Sequence, residues 1–128
     1  MLKKFFFSWF PSILWMGLIF WASSFHSLRA SAVAWQDFAV RKTAHFLEYA
    51  VLFGLYFRAL KNTIKLSPFR IYLLSFILTF LYALSDEFHQ TLVLGRTGML
   101  RDVMIDVGGG LLGGPFLAKF WGLTRFKE

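Results

Sequence analysis

Cysteine is absent from the 128 residues, which excludes thiol catalysis, thiolate-held metals and disulfide staples. That absence does not by itself fix the redox compartment. Charge is also scarce. Only 16% of positions are Asp, Glu, Lys or Arg, against about 25% in a soluble domain. No phosphate-binding glycine loop, no GxSxG nucleophile turn and no HExxH helix occurs. What the chain has instead is apolar mass: 57% hydrophobic and 20% aromatic positions, with a mean hydropathy of +0.56. That mass is gathered into long blocks. A disordered chain, a disulfide miniprotein and an ordinary soluble enzyme are therefore excluded. The remaining class is a small integral membrane protein whose single domain covers residues 1–128, with its polar residues in a few clusters.

The formal net charge of +7 raises the question of nucleic acid. The basic residues, however, sit in short groups that flank apolar blocks, with no basic stripe interleaved with aromatics. Nucleic acid is not the partner this pattern serves. Flanking groups of Lys and Arg mark the cytoplasmic side of a membrane protein.

A bilayer core about 30 Å thick takes roughly 20 helical residues to cross. Phe5 to Phe25 meets that length and, although Lys3 and Lys4 precede it, exceeds the apolar core of a signal peptide, about 7–15 residues. It is expected to be an anchor. Ala44 to Leu60 is a shorter block holding His45, Glu48 and Arg58. Ile71 to Leu84 reaches only about 21 Å at 1.5 Å per residue, so that helix must continue through Asp86, Glu87 and His89. Val103 to Trp121 is the fourth block. The expected fold is an all-α, four-helix transmembrane bundle with helices near 5–25, 42–60, 71–90 and 102–121. Nine basic residues (Lys3, Lys4, Arg58, Lys61, Lys65, Arg70, Lys119, Arg125, Lys127) fall on the side of the two termini, and five (Arg29, Arg41, Lys42, Arg96, Arg101) on the other. Both termini are then expected inside. Six of the seven acids and all three histidines lie in the opposite, extracytoplasmic half.

Three helices bring polar residues to that end. Arg41, His45 and Glu48 are spaced i, i+4, i+7 on helix two, with Lys42 and Tyr49 on a neighbouring line. On helix three Tyr72, Ser75, Thr79, Tyr82, Asp86 and His89 form a seam by steps of three and four. Glu87 lies about 100° from Asp86. On helix four Asp102, Asp106, Gly110 and Gly114 recur every four residues, and Gly109 and Gly113 add a second small-residue pair that permits close helix approach in lipid. Helix one has no ionisable residue between Lys4 and His26, and is expected to pack and to anchor through Trp9, Trp15 and Trp21. The segment Thr91 to Val103 is expected to be a non-helical lid, and His26 and Asp37 to lie in a solvated external loop.

Ionisable groups in hydrocarbon cost at least about 2.5–3.5 kcal/mol each, so they must face the bundle interior and pair. A salt-bridge cluster is one use of these residues. A site is another, since a stabilising core is more simply built from apolar residues. His45, Glu48, Asp86, Glu87, His89, Asp102 and Asp106 are the candidates for acid–base work, because imidazole titrates near neutral pH. His45 with Glu48, and Asp86 with His89, are also compatible with a divalent metal in a helix bundle. Arg41, Lys42, Tyr49, Gln90, Arg96 and Arg101 are candidates for holding a substrate, with arginine offering a bidentate fork to phosphate. No cofactor is specified.

These residues carry a family resemblance. Arg41-Lys42-x-x-His45-x-x-Glu48-Tyr49, Ser85-Asp86-Glu87-x-His89-Gln90, Gly95-Arg96 and Arg101-Asp102-x-x-x-Asp106-x-x-Gly109 together resemble the VanZ-like family over roughly residues 10 to 120. Leu94 stands where the family often has proline. The resemblance implies a multi-pass protein of the bacterial cytoplasmic membrane, in a family whose namesake is associated with low-level resistance to teicoplanin, a lipoglycopeptide acting at the envelope. The readings left open are an enzyme acting on a lipid-linked, phosphate-bearing envelope precursor, a non-catalytic module binding a lipid headgroup or the lipoglycopeptide, and a transporter subunit. A homo-oligomer fits each.

The charge imbalance predicts an orientation. Ser67→Cys and Thr97→Cys, placed singly in this cysteine-free chain, are tested on intact cells with an impermeant thiol reagent. Thr97→Cys should label and Ser67→Cys should not; the reverse pattern overturns the orientation.

Overall fold

A computed structural model describes residues 2–25, 32–93 and 100–122. They form four helices, with no strand among the described residues: α1 (Leu2–Ser23), α2 (Ala34–Thr63), α3 (Pro68–Leu92) and α4 (Leu100–Phe120). Three of these, α1, α3 and α4, are long and apolar enough to cross a membrane. The fourth, α2, is less apolar because it carries the polar residues of the bundle interior. At 30 residues it is about 45 Å long, more than a bilayer core requires.

α2 is the axis of the molecule. It packs on all three other helices, α3 touches both flanking helices, and α1 and α4 make no contact with each other among the described residues. Most of the fully enclosed apolar side chains accordingly come from α2: Tyr49, Leu52, Phe53, Ala59 and Leu60. The outward faces of α1 and α3 are lined with exposed Phe, Leu, Ile and Trp, such as Phe6, Ile13, Leu18, Phe69 and Leu81. In water such a surface would be an association hazard; in lipid it is the solvated face.

Helix boundaries depart from the expectation where local chemistry extends them. α3 begins at Pro68, whose fixed φ and missing N–H suit the first helical turn, and not at Ile71. α2 begins eight residues before Lys42. Its first turn holds Asp37, paired with Arg41 one turn on, so Asp37 is a buried helical residue and not part of a solvated loop. The lid is also shorter than expected. α3 runs through Leu92 and α4 starts at Leu100, so Thr91, Leu92 and 100–103 are helical. Residues 94–99, with Gly95, Arg96 and Gly98, lie outside the described residues, as does His26.

α4 contains one turn of π-helix, Gly109–Gly113. The glycines there are close-approach sites. A Cβ on Gly109 would collide with the backbone carbonyl of Phe46, and one on Gly113 would lie 2.7 Å from Cβ of Ala50. Phe46 and Ala50 are one turn apart on α2, so this glycine pair is the track on which α4 rides. Of the other pair, Gly110 meets Thr79 of α3 and Gly114 the ring of Phe53.

Gly109→Ala should therefore destabilise the purified protein by about 1–3 kcal/mol or more, read as a lower thermal midpoint, as overpacking against backbone has no soft neighbour to move. Gly108→Ala is the control: nothing lies within 4 Å of its Cβ position, and alanine is the better helix former by about 1 kcal/mol. Equal effects of the two changes would refute the packing account.

Candidate functional site

The polar residues converge at one end of the bundle, where α1 and α3 finish and α4 starts, beside the second to fourth turns of α2. Asp86 is the centre. It is 2% exposed and receives hydrogen bonds from three side chains. Ser23 of α1 donates to Oδ1 at 2.6 Å, while Tyr49 of α2 and Gln90 of α3 donate to Oδ2 at 3.2 and 3.1 Å. No Lys or Arg among the described residues pairs with it. Hydrogen bonds alone hold this carboxylate, as charge-assisted bonds from neutral donors can.

Asp106 enters from α4, also 2% exposed. Its Oδ1 lies 3.3 Å from His45 Nδ1, and its Oδ2 is buried with no hydrogen-bond partner among the described residues. One ligand atom each from His45, Asp86 and Asp106 lies within 4.8 Å of the other two. Glu48 follows His45 by one turn of α2. Its carboxylate is near enough to feel the charges of His45, Asp86 and Asp106.

Nearer the surface the sign of charge changes. Lys42 Nζ pairs with Asp102 Oδ1 at 2.5 Å, and Arg101 Nε lies 3.8 Å from the same oxygen. Lys42 and Arg101 both lie over the ring of Phe38, at 5.7 and 5.4 Å from its centroid, within cation–π range. Side-chain exposure climbs in order along this line: Asp106 2%, His45 16%, Lys42 22%, Arg41 41% and Arg101 62%. This graded line of side chains, called the shaft, has carboxylates and His45 at its floor and the cations Lys42 and Arg101 with Asp102 at its mouth. At the opposite end of the bundle the character differs: a cleft of about 510 Å³ is lined by Lys4, Lys61 and Lys65 with Phe5 and no acid.

The candidate residues thus fall into groups. His45, Glu48, Asp86 and Asp106 gather at the floor, with Tyr49 and Gln90 as holders of Asp86. Lys42, Asp102 and Arg101 form the mouth. Arg41 is engaged by Asp37 on its own helix, a partner the sequence reading placed in a loop. His89 sits to one side, its Nε2 3.0 Å from Ser24 Oγ and its ring stacked on Phe20 at 4.1 Å. Glu87 is buried but does not join the floor group. Arg96 lies outside the described residues. The ligand types expected to meet as i, i+3 pairs along single helices instead gather across three helices, with His89 replaced by Asp106.

Two expectations are corrected. Helix one is not merely an anchor, because Ser23 and Ser24 reach Asp86 and His89, and Trp15 donates its Nε1 to the carbonyl of Glu48 at 2.9 Å. The only signal for this was a serine pair closing an apolar span. The polar seam of α3 is not a continuous path either. Ser75 and Thr79 donate to carbonyls of their own helix, Ile71 and Ser75, and Tyr82 donates to the carbonyl of Met16. Back-bonding of this kind satisfies hydroxyls in an apolar interface.

The fold and this end of it define an all-helical, multi-pass membrane protein with a buried carboxylate–imidazole cluster. The chain belongs to the VanZ/LLP1 family, whose model matches residues 6–121, nearly the whole chain. No curated protein and no solved structure matches it.

The coupling of Ser23 to Asp86 is measurable. In a double-mutant cycle of Ser23→Ala and Asp86→Asn, unfolding in mild detergent should give an interaction energy of about 1.5–3 kcal/mol, as for a hydrogen bond to a charged group. Additive effects would show that α1 takes no part in the site.

Proposed function

We propose that this VanZ-like envelope protein binds the phosphate-bearing headgroup of a lipid-linked envelope precursor at the extracytoplasmic leaflet and acts on it at the floor of the shaft, and that this activity contributes to tolerance of lipoglycopeptides such as teicoplanin. The observation that carries the reading is the order of charge with depth. Exposed Arg101 and half-exposed Arg41 and Lys42 stand at the mouth, the position from which cations meet the anionic group of a lipid whose chains stay in the bilayer. His45, Asp86 and Asp106 stand beneath them, with ligand atoms within 4.8 Å of one another, and Glu48 lies near enough to feel their charges. An imidazole held against a carboxylate is a carrier for a proton to or from a phosphate oxygen or a leaving group. Arg101, which also lies beside Asp102, is the most exposed of these cations, with its side chain 62% exposed.

One observation favours a second reading, in which the headgroup is bound and released unchanged. Asp86 is occupied by three donors, which suits a fixed charge better than a base. Turnover separates the two.

The test pairs function with stability. Cells expressing Asp86→Asn, His45→Gln or Arg101→Gln are scored for teicoplanin tolerance, and each purified variant for its thermal midpoint in detergent. The purified wild type is also incubated with a short-chain polyprenyl diphosphate, and the lipid is followed by chromatography. Lost tolerance at normal stability, with conversion of the lipid, is the expected result. Binding without conversion supports the second reading. Parallel loss of stability and tolerance makes the cluster structural, since removing one partner of a buried pair costs roughly 3–5 kcal/mol. Full tolerance in all three variants removes the cluster from function.

A further inference from the structure

The floor of the shaft has more negative charge than the described residues neutralise. Asp86 has hydroxyl and amide donors but no cation, and Asp106 has one oxygen on His45 and the other on nothing. Glu48 adds a third carboxylate nearby. An unpaired carboxylate oxygen at 2% exposure in a membrane helix is costly. Lys42 could have relieved it, yet pairs with Asp102 nearer the surface. The position left without a partner is therefore the one that His45, Asp86 and Asp106 surround.

We infer that His45, Asp86 and Asp106 bind a divalent cation of the first transition row, such as Mn²⁺ or Zn²⁺, at the floor of the shaft. Three observations support this independently of charge. The ligand atoms span at most 4.8 Å; two ligands of one ion are separated by no more than twice the metal–ligand distance, about 4–5 Å for ions bound at 2.0–2.6 Å. The donor set mixes one imidazole with two carboxylates, which suits Mn²⁺ and Zn²⁺ better than the all-oxygen preference of Mg²⁺ or Ca²⁺. Asp86 is fixed by Ser23, Tyr49 and Gln90 from three helices, the kind of outer support that orients ligating carboxylates. The ion also gives a phosphate a reason to descend past the mouth, since three carboxylates would otherwise repel it. That role rests on the headgroup reading above; the binding of the ion does not.

The experiment uses the full chain in detergent micelles, tag removed and stripped with a chelator, titrated with Mn²⁺ alone and no lipid phosphate. Bound Mn²⁺ is read from loss of the free-ion electron paramagnetic resonance signal. Saturable binding of a single ion per chain, displaced by Zn²⁺ and accompanied by a higher thermal midpoint, is expected. Asp106→Asn and His45→Gln should each weaken it by about tenfold or more, while Lys65→Gln, in the cleft at the opposite end of the bundle, should leave it nearly unchanged. Absence of saturable binding to the wild type overturns the proposal, as does undiminished binding to folded Asp106→Asn. Should Asp106→Asn not fold, the wild type and His45→Gln decide by the same criteria. Because no phosphate is present, a negative result leaves the headgroup reading standing. A positive one with no lipid binding overturns that reading alone.

Discussion

Everything at the polar end depends on placing the Asp86 carboxylate inside a membrane bundle. An acid there costs at least about 2.5–3.5 kcal/mol before anything pairs with it. The molecule meets that cost by bringing donors from three directions: Ser23 at the close of α1, Tyr49 from the central helix, and Gln90 one turn further along α3. These bonds work only if α1 ends, and α3 continues, at the same depth beside α2. Asp86 thus sets the register of three helices. The Trp15 bond to the carbonyl of Glu48 and the Tyr82 bond to the carbonyl of Met16 fix α1 to α2 and α3 one to two turns deeper, in the same register.

α4 is positioned by different physics. It offers no cross-helix hydroxyl bond to hold it, and uses closeness in its place. Gly109 and Gly113 let its backbone lie against Phe46 and Ala50, where any side chain would push the helices apart. The π-turn begins three residues after Asp106. The wide turn spans the glycine track itself, and changes the angular relation between the part of α4 beyond Gly113 and the two aspartates before Gly109. A plain α-helix with the same glycine contacts would aim Asp106 differently. Wide turns of this sort are frequent beside functional sites, and here the placement has a mechanical reading: the glycines fix the helix, and the wide turn sets the aim of the acid.

The architecture was legible in the sequence because it follows from block length and spacing. Four apolar blocks gave four helices, and the shortfall of Ile71 to Leu84 correctly required α3 to run on through His89. The glycine stripe of α4 was legible for the same reason, being a strict period. Part of the polar cluster was legible as residues, His45, Asp86 and Asp106 among them, but not as pairs. Spacing along one helix joined His45 to Glu48 and Asp86 to His89, whereas the bundle gathers His45, Asp86 and Asp106 and leaves His89 to Ser24 and Phe20. Which faces meet depends on helix rotation, which no single-helix period contains. Ser23 was hidden for a related reason. A serine at the end of an apolar span commonly bonds its own backbone, as Ser24 does to the carbonyl of Phe20, so nothing local marks Ser23 as a partner of an acid 63 residues away. The π-turn had no signal beyond a cluster of glycines.

The separation of charges by depth is more informative than their number. A purely structural network would gain most by placing Lys or Arg against the deepest acids, where the dielectric is low and each pairing is strongest. The chain does the reverse. The two deepest carboxylates, Asp106 and Asp86, are matched with a histidine and with neutral donors, while Lys42 and Arg101 meet Asp102 and Arg41 meets the buried Asp37. The proposed anionic headgroup and the proposed cation would each be complementary to the layer they meet. Lipid supplies the third constraint. The exposed Phe20 and Trp21 on α1 and Phe88 on α3 lie at the same end, where the proposed lipid would keep its chains in the bilayer beside these rings.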